Sequence, residues 1–417
     1  MACSNRIEWE RRSILKAGAA VAAATLFPAA GTFARSERPI RIGHIEALTG
    51  TYASLGVNDV NGAKLAIEQI NAKGGVLGRP LELVVEDGAA DPGIAVQKTH
   101  KLVDDDKVNF LIGSASSAVA LALSHAANGL NTIYVCTASH TDAVTGSKCN
   151  WNTFRTCSTT WMLAAGNSRT LFDKFGKRWY FITPDYAFGH TEQRAYAEQL
   201  QSYGGQVLGN ALAPLGTTDF SSYLIKAESM KPDVLIVLQV GDDKVNLLKQ
   251  ATQFGLTKKM AIGGGEINLE EIQGLPPDAR VGWWTMEWYW KQPNTPHVEG
   301  FIDAYRKRNA GKVPTARSWF GFAAVHSLAL AVAKAKSVDS LKVVRALEGL
   351  ELPPEVALQP GKLVYRAGDH QLIANEFPGE IRHDGKYPDL FRLADIVPGS
   401  RIAKSVEADG CKLVYPS

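Results

Sequence analysis

Three observations predict an α/β fold of two lobes, each a parallel sheet flanked by helices, with a cleft between them. Strand and helix signals alternate along nearly the whole chain, the alternation comes in two similar runs, and the composition is that of an ordinary globular protein. The chain has 417 residues, 45% apolar and 21% charged, which suits two to three domains that each bury a core. The formal net charge is +3, and Arg6, Arg11, Arg12 and Lys16 against Glu8 and Glu10 place +2 of it in residues 1–34. No basic stripe remains in the rest, which argues against a nucleic-acid partner. Five cysteines are too few for a disulfide scaffold.

The first segment reads as an address. Glu10-Arg11-Arg12-Ser13-Ile14-Leu15-Lys16 precedes an alanine-rich apolar run, Ala17 to Ala30, and a small-residue exit, Thr32-Phe33-Ala34. A basic region, a short apolar region and such an exit describe a cleavable export signal over residues 1–34. The paired arginines resemble the twin-arginine (Tat) type. The run is short and weakly apolar for a span, and no later stretch approaches the ~18 uninterrupted apolar residues of one. The mature chain is therefore expected to be exported, periplasmic and free of direct membrane insertion.

From Arg41–Ile45, a strand, the first run proceeds in order. Asn61–Ala72 puts Ala63, Ala66, Ile67 and Ile70 on one helical face, and Gly74-Gly75 stops that helix. Leu81–Glu86 is a strand. Asp91-Pro92 opens a helix as an N-cap followed by proline. Strand Asn109–Gly113, helix Ser117–Asn128 and strand Thr132–Cys136 complete this run. The second starts near Phe154, with strands Trp179–Thr183, Gln206–Leu212, Asp233–Gln239 and Met260–Gly263. Helices Thr191–Tyr203, Phe220–Met230 and Lys244–Phe254 lie between them. Helices His297–Asn309, Ser318–Ala335 and Ser340–Leu347 follow. A Pro- and Gly-rich tail from Glu351 carries strand-like Lys362–Tyr365 and Phe391–Ile396. In open α/β sheets ligands sit at the carboxyl ends of strands, so the loops there matter most.

Glu46-Ala47-Leu48-Thr49-Gly50-Thr51-Tyr52-Ala53, followed by the run from Ala66 through Asn71-Ala72-Lys73-Gly74-Gly75-Val76-Leu77-Gly78-Arg79, resembles the branched-chain amino-acid (Leu/Ile/Val)-binding family of periplasmic solute receptors serving ABC importers. Val85-Glu86-Asp87 before Asp91-Pro92, Asp185-Tyr186-Ala187-Phe188-Gly189, Thr217-Thr218-Asp219-Phe220-Ser221 and Lys231-Pro232-Asp233-Val234 extend the match over about residues 38–400. The resemblance implies a type I periplasmic-binding fold with three interlobe crossovers. Lobe one is expected over 35–153 plus about 283–360. Lobe two is expected over 154–282 plus about 361–400, with a tail, 401–417, near the hinge. It further implies a monomer that binds a small molecule, needs no cofactor and no metal, and delivers its solute to an inner-membrane ABC permease and its ATPase.

Carried over residue by residue, the family's ligand contacts fall on Tyr52 as an aromatic wall and on Ser116 and Ser117 at a helix N-terminus. The next loop supplies Ala138, Ser139 and His140, and lobe two supplies Tyr186 and Phe188. Glu266, after Gly263-Gly264-Gly265, matches the acid that pairs with a substrate ammonium. Free backbone N–H groups, hydroxyls and a helix dipole suit a carboxylate at Ser116 and Ser117, and the same serines could simply cap the helix. Tyr52 could be a rim aromatic, His140 and Glu266 solvated loop groups, and Tyr186 and Phe188 packing residues. His140 stands where the family has Thr. Trp283, Trp284, Trp288 and Trp290 read as a strand and turn packed on the lobe interface rather than an aromatic cage.

Glu266 favours an amino acid as ligand. His140 with Tyr186 and Phe188 favours a flatter aromatic carboxylate, and a short amide or urea is a third choice. The family's lobe-one disulfide positions fall near Ala90 and Ser116, so that bridge is missing. Cys136 reads as a buried free thiol. A Cys149–Cys411 pairing is a candidate tie between tail and hinge side, although sequence does not fix connectivity. An enzyme is not expected: Gly113-Ser114-Ala115-Ser116-Ser117 lacks the second glycine of a nucleophile elbow, and no metal or dinucleotide spacing is present. A ligand-sensing receptor of the same fold stays open.

Overall fold

The computed structural model describes residues 38–293 and 295–416, so the expected export signal at 1–34 lies outside the described residues. The first run forms β1 (Ile40–Glu46), α1 (Ala53–Ala72), β2 (Leu81–Asp87), α2 (Pro92–His100), β3 (Phe110–Gly113), α3 (Ser117–Gly129), β4 (Ile133–Cys136) and β5 (Thr153–Arg155). The strands make one parallel sheet in the order β2-β1-β3-β4-β5. β3 and β4 are buried along their whole length, as parallel strands covered on both faces must be. The Asp91 side chain accepts the Ile94 N–H at 2.8 Å, and Pro92 takes the first helical position of α2.

Helix α1 starts at Ala53, well before the expected Asn61. Its early turns hold Gly56 and Gly62, which weaken a helical signal but are required by packing. A Cβ on Gly56 would strike the Ala47 carbonyl, and one on Gly62 would strike the carbonyl of Ser318.

The second run forms α4 (Thr160–Phe175), β6 (Arg178–Pro184), α5 (Ala187–Ser202), β7 (Gln206–Ala213), α6 (Ser221–Ser229), β8 (Val234–Val237), α7 (Asp242–Gln253), β9 (Ala261–Glu266), α8 (Leu269–Gln273) and β10 (Trp283–Met286). Then come α9 (Val298–Arg308), α10 (Ala316–Ala335), α11 (Ser340–Leu347), β11 (Val364–Tyr365), β12 (Leu372–Ile373), β13 (Phe377–Lys386) and β14 (Asp389–Leu393). The second sheet runs β14-β13-β10-β9-β8-β6-β7. It is parallel from β10 to β7, and β13 and β14 join antiparallel at its edge. The sequence reading missed β13 and placed β14 slightly late.

Two expected boundaries move. Trp283–Met286 pairs with β9 on one side and β13 on the other, so the chain does not return to lobe one at 283. The return comes with α9, whose Val298, Phe301 and Ile302 enter the lobe-one core beside Trp319 and Phe320 of α10. The later return to lobe two comes not at 361 but at Phe377, because Tyr365 and Leu372 are buried in lobe one. The connections from β5 to α4, from β10 to α9 and from β12 to β13 are the three crossovers. Trp284 is core in lobe two and Trp288 core in lobe one, with the Trp288 indole donating to the Leu358 carbonyl at 2.8 Å. Cys149 and Cys411 form a disulfide with Cα atoms 5.6 Å apart, and Cys136 and Cys157 are buried free thiols. Arg366 donates to the Lys404 carbonyl at 2.6 Å and Tyr415 donates to Glu348 at 2.5 Å, so hydrogen bonds join the disulfide in holding the tail on lobe one.

Candidate functional site

The carboxyl ends of β1, β3 and β4 face those of β6, β8 and β9, and every residue expected in the site lies on one of the connections that follow them. Tyr52 follows β1, Ser116 and Ser117 follow β3, and Ala138, Ser139 and His140 follow β4. From the other lobe, Tyr186 and Phe188 follow β6, and Glu266 ends β9. All nine are buried except Tyr186, which is half-buried. The lobes meet here directly. The Tyr52 and Tyr186 hydroxyls share a hydrogen bond, and Tyr52 and Leu55 pack with Leu163, Phe188 and Val240 in one apolar cluster.

The lobe-one face is built from small groups. Ser116 is the N-cap of α3 without a side-chain capping bond, and its N–H donates to Ser114 Oγ at 3.3 Å. Ser117 Oγ accepts the Thr141 N–H at 3.2 Å, and Ser139 donates to the Ser114 carbonyl. Glu46 lies behind them and accepts from the N–H groups of Ala47 and Ala115 at 3.1 and 3.2 Å. Burial, reinforced by Asp59, pushes its pKa well above the ordinary carboxylate range. The Cys136 and Cys157 thiols both point at the Ser139 carbonyl, at 3.5 and 3.4 Å.

The charged groups bridge the two lobes. Glu266, expected to meet a substrate ammonium, is instead held by Arg317 at the start of α10. One guanidinium nitrogen lies 2.8 Å from each carboxylate oxygen. Arg317 also donates to the Ala138 carbonyl at 3.0 Å and to Asn268 Oδ1 at 3.1 Å. His140 Nε2 lies 2.6 Å from Glu287 Oε2 and 3.5 Å from Glu266 Oε2. Burial works against a charge on Glu266, but Arg317, with His140 and Lys244, outweighs it and lowers the pKa. Lys244 is itself spent, donating to the Glu266 carbonyl and lying 3.7 Å from Glu271. His140 is therefore no solvated loop histidine. It sits edge-on to Phe188 and Phe320 at 5.9 and 6.4 Å.

Two buried groups here were missed by sequence reasoning and have no hydrogen-bond partner among the described residues: both carboxyl oxygens of Glu192 and both amide atoms of Gln239. Glu192 follows Phe188 by one helical turn on α5, a spacing that would have flagged it. Arg317 and Glu287 carried no local signal. Two buried clusters bring metal-ligating atoms within 4.8 Å of one another: His140, Cys157 and Glu287, and His44, Glu46 and Asp59. In each the donors already pair internally, His140 with Glu287 and His44 with Asp59 at 3.2 Å.

The sequence profile of a family described as periplasmic binding protein matches residues 39–386. The Leu/Ile/Val-binding protein BraC3 of Rhizobium johnstonii is 28% identical over 333 residues, covering 78% of this chain and 87% of that protein. The amino acid ABC transporter substrate-binding protein of Pseudomonas fluorescens Pf-5 superposes with a TM-score of 0.80 at 26% identity. That likeness covers 91% of this chain and all of the other. A solute-binding protein of an ABC transporter from R. palustris, solved in complex with benzoate, has a TM-score of 0.79 at 21% identity and covers 90% of this chain. At that identity the likeness is one of fold.

Proposed function

The chain belongs to the periplasmic binding protein family, and on that premise we propose that it captures a small carboxylate-bearing solute for an ABC importer by closing its two lobes. The segment 1–34 would export it, and closure would present both lobe surfaces to an inner-membrane permease, which admits the solute only from that state. The end of α3, with Ser116, Ser117 and the 137–140 loop, suits the carboxylate. Tyr52, Tyr186 and Phe188 suit the apolar body.

The observation that carries the ligand class is the Arg317–Glu266 pair. An ammonium needs a free anion in a buried site, and Arg317 already fills that role. This favours a carboxylate with a flat apolar body and no ammonium, such as a benzoate- or cinnamate-like acid. The branched-chain amino-acid reading is supported by the 28% identical Leu/Ile/Val-binding relative and stands second.

A thermal-shift panel on the mature chain, refolded to strip bound solute, separates the two. A ligand at ~1,000 times its dissociation constant stabilises by ~4 kcal/mol, a shift of several degrees. Benzoate or 4-hydroxycinnamate is expected to raise the melting point, with leucine, valine and phenylalanine much weaker. A shift with leucine alone would overturn the aromatic reading. Silence across the panel would overturn the carboxylate reading.

A further inference from the structure

The charged groups around the end of β9 are spoken for. Glu266 is held by Arg317, Lys244 by the Glu266 carbonyl and Glu271, and Glu287 by His140 and the Ser158 N–H at 2.7 Å. Glu192 and Gln239 are not: they are 0% and 1% exposed, and none of their four terminal polar atoms has a partner among the described residues. A buried polar group left without a hydrogen bond is costly to the fold, and two of them stand close to the end of β9. Their placement gives that cost a purpose. Gln239 lies two residues beyond the carboxyl end of β8, and the neighbouring strand β9 ends in Gly265-Glu266. The Glu192 carboxyl lies in the space that a Cβ on Gly265 would fill. Phe188, already part of the cluster that joins the lobes, stands one turn before Glu192 on the same face of α5.

We propose that Glu192 and Gln239 form the polar end of the ligand site in lobe two and read a neutral hydroxyl or amide group on the solute, opposite its carboxylate. This rests on the carboxylate-solute reading above and narrows it to hydroxylated or carbamoylated acids. The charge state agrees. Burial first, and then the nearby Glu266, push the Glu192 pKa well up, which favours a carboxylic acid beside the amide. Each both donates and accepts. A hydroxyl or amide complements that set. A cation would demand an ionised Glu192.

The test compares dissociation constants of benzoate with those of 3- and 4-hydroxybenzoate, by titration calorimetry on the mature chain. A site built to hydrogen-bond a hydroxyl rejects the analogue that lacks it, so the better hydroxy acid is expected to bind at least about ten-fold tighter. Glu192→Leu and Gln239→Leu, at independent positions, should each cut that ratio sharply while leaving benzoate affinity within a few-fold. Glu192→Gln, still neutral and still donor and acceptor, should keep most of it. Replacing an unpartnered polar group with an apolar one of similar size is mild for folding, so the leucine variants remain measurable. A wild-type ratio near one, or a ratio unchanged in both leucine variants, overturns the assignment while the carboxylate reading stands. Binding of none of the three acids, with leucine bound, overturns the aromatic reading and this assignment together.

Discussion

On the lobe-one face, Ser114, Ser116, Ser117 and Ser139 meet each other and the backbone through neutral hydrogen bonds at the end of one helix. Between the lobes, Arg317 of α10 and His140, both from lobe one, reach Glu266 at the end of β9 and Glu287 after β10 to form a buried ionic chain, with Glu192 and Gln239 of lobe two unpartnered among the described residues. Neutral groups of low individual worth make a face that can trade partners with a ligand. A chain of buried charges cannot trade so easily, because stripping one partner leaves an uncompensated ion. The two regions therefore differ in kind: the lobe-one loops are joined by exchangeable neutral bonds, and the ion pair ties lobe one to lobe two.

The largest test of this contrast breaks the ion pair. Arg317→Met should cost about 3–5 kcal/mol of unfolding free energy, as expected when a buried charge loses its partner, read from urea denaturation. Adding Glu266→Leu to that variant should recover most of the loss, since replacing both partners is often near neutral. A single-variant loss below about 1 kcal/mol would mean that the pair does not hold the two lobes together.

A second test uses pH. Glu46, Glu192 and Glu376 all have pKa values pushed well above the ordinary 4.5, first of all by burial. In the folded chain they keep protons that the unfolded chain has lost, so their contribution falls as pH climbs from 4.5 toward their raised values. Glu192→Gln removes one of the three and should make stability fall less steeply with rising pH over that range. An unchanged slope in denaturation curves at stepped pH would show that Glu192 is ionised in the folded chain.

The smallest expected effect lies on the lobe-one face. Ser117→Ala strips the Thr141 N–H of its acceptor and should cost about 1 kcal/mol, read as a small drop in denaturant midpoint. A loss as large as that of Arg317→Met would erase the distinction between the faces.

The difference between the faces also explains what could be read in advance. Ser116, Ser117 and the 137–140 loop follow strands and open a helix, and both signals are local in sequence. Glu266 was legible as a position but not in its partner. Arg317 is 51 residues away, and Glu287 is 147 residues from His140. Glu192 had a local signal in its spacing from Phe188, but nothing in the sequence says that its carboxyl would be buried beside Gly265. Boundaries failed for a similar reason. Trp283–Met286 is legible as a strand, yet its sheet was decided by β13, nearly a hundred residues on.

By itself, then, the order of apolar runs, caps and glycines determined two α/β lobes and the loops that meet between them. These depend on periodicity and on backbone conformations that neighbouring residues dictate. Tertiary structure alone decided which lobe claims each later segment, that Arg317 rather than a ligand meets Glu266, and that Glu192 and Gln239 stay unpartnered. Pairing and burial of charge depend on which distant side chains arrive within a few ångströms, and no local pattern encodes that distance.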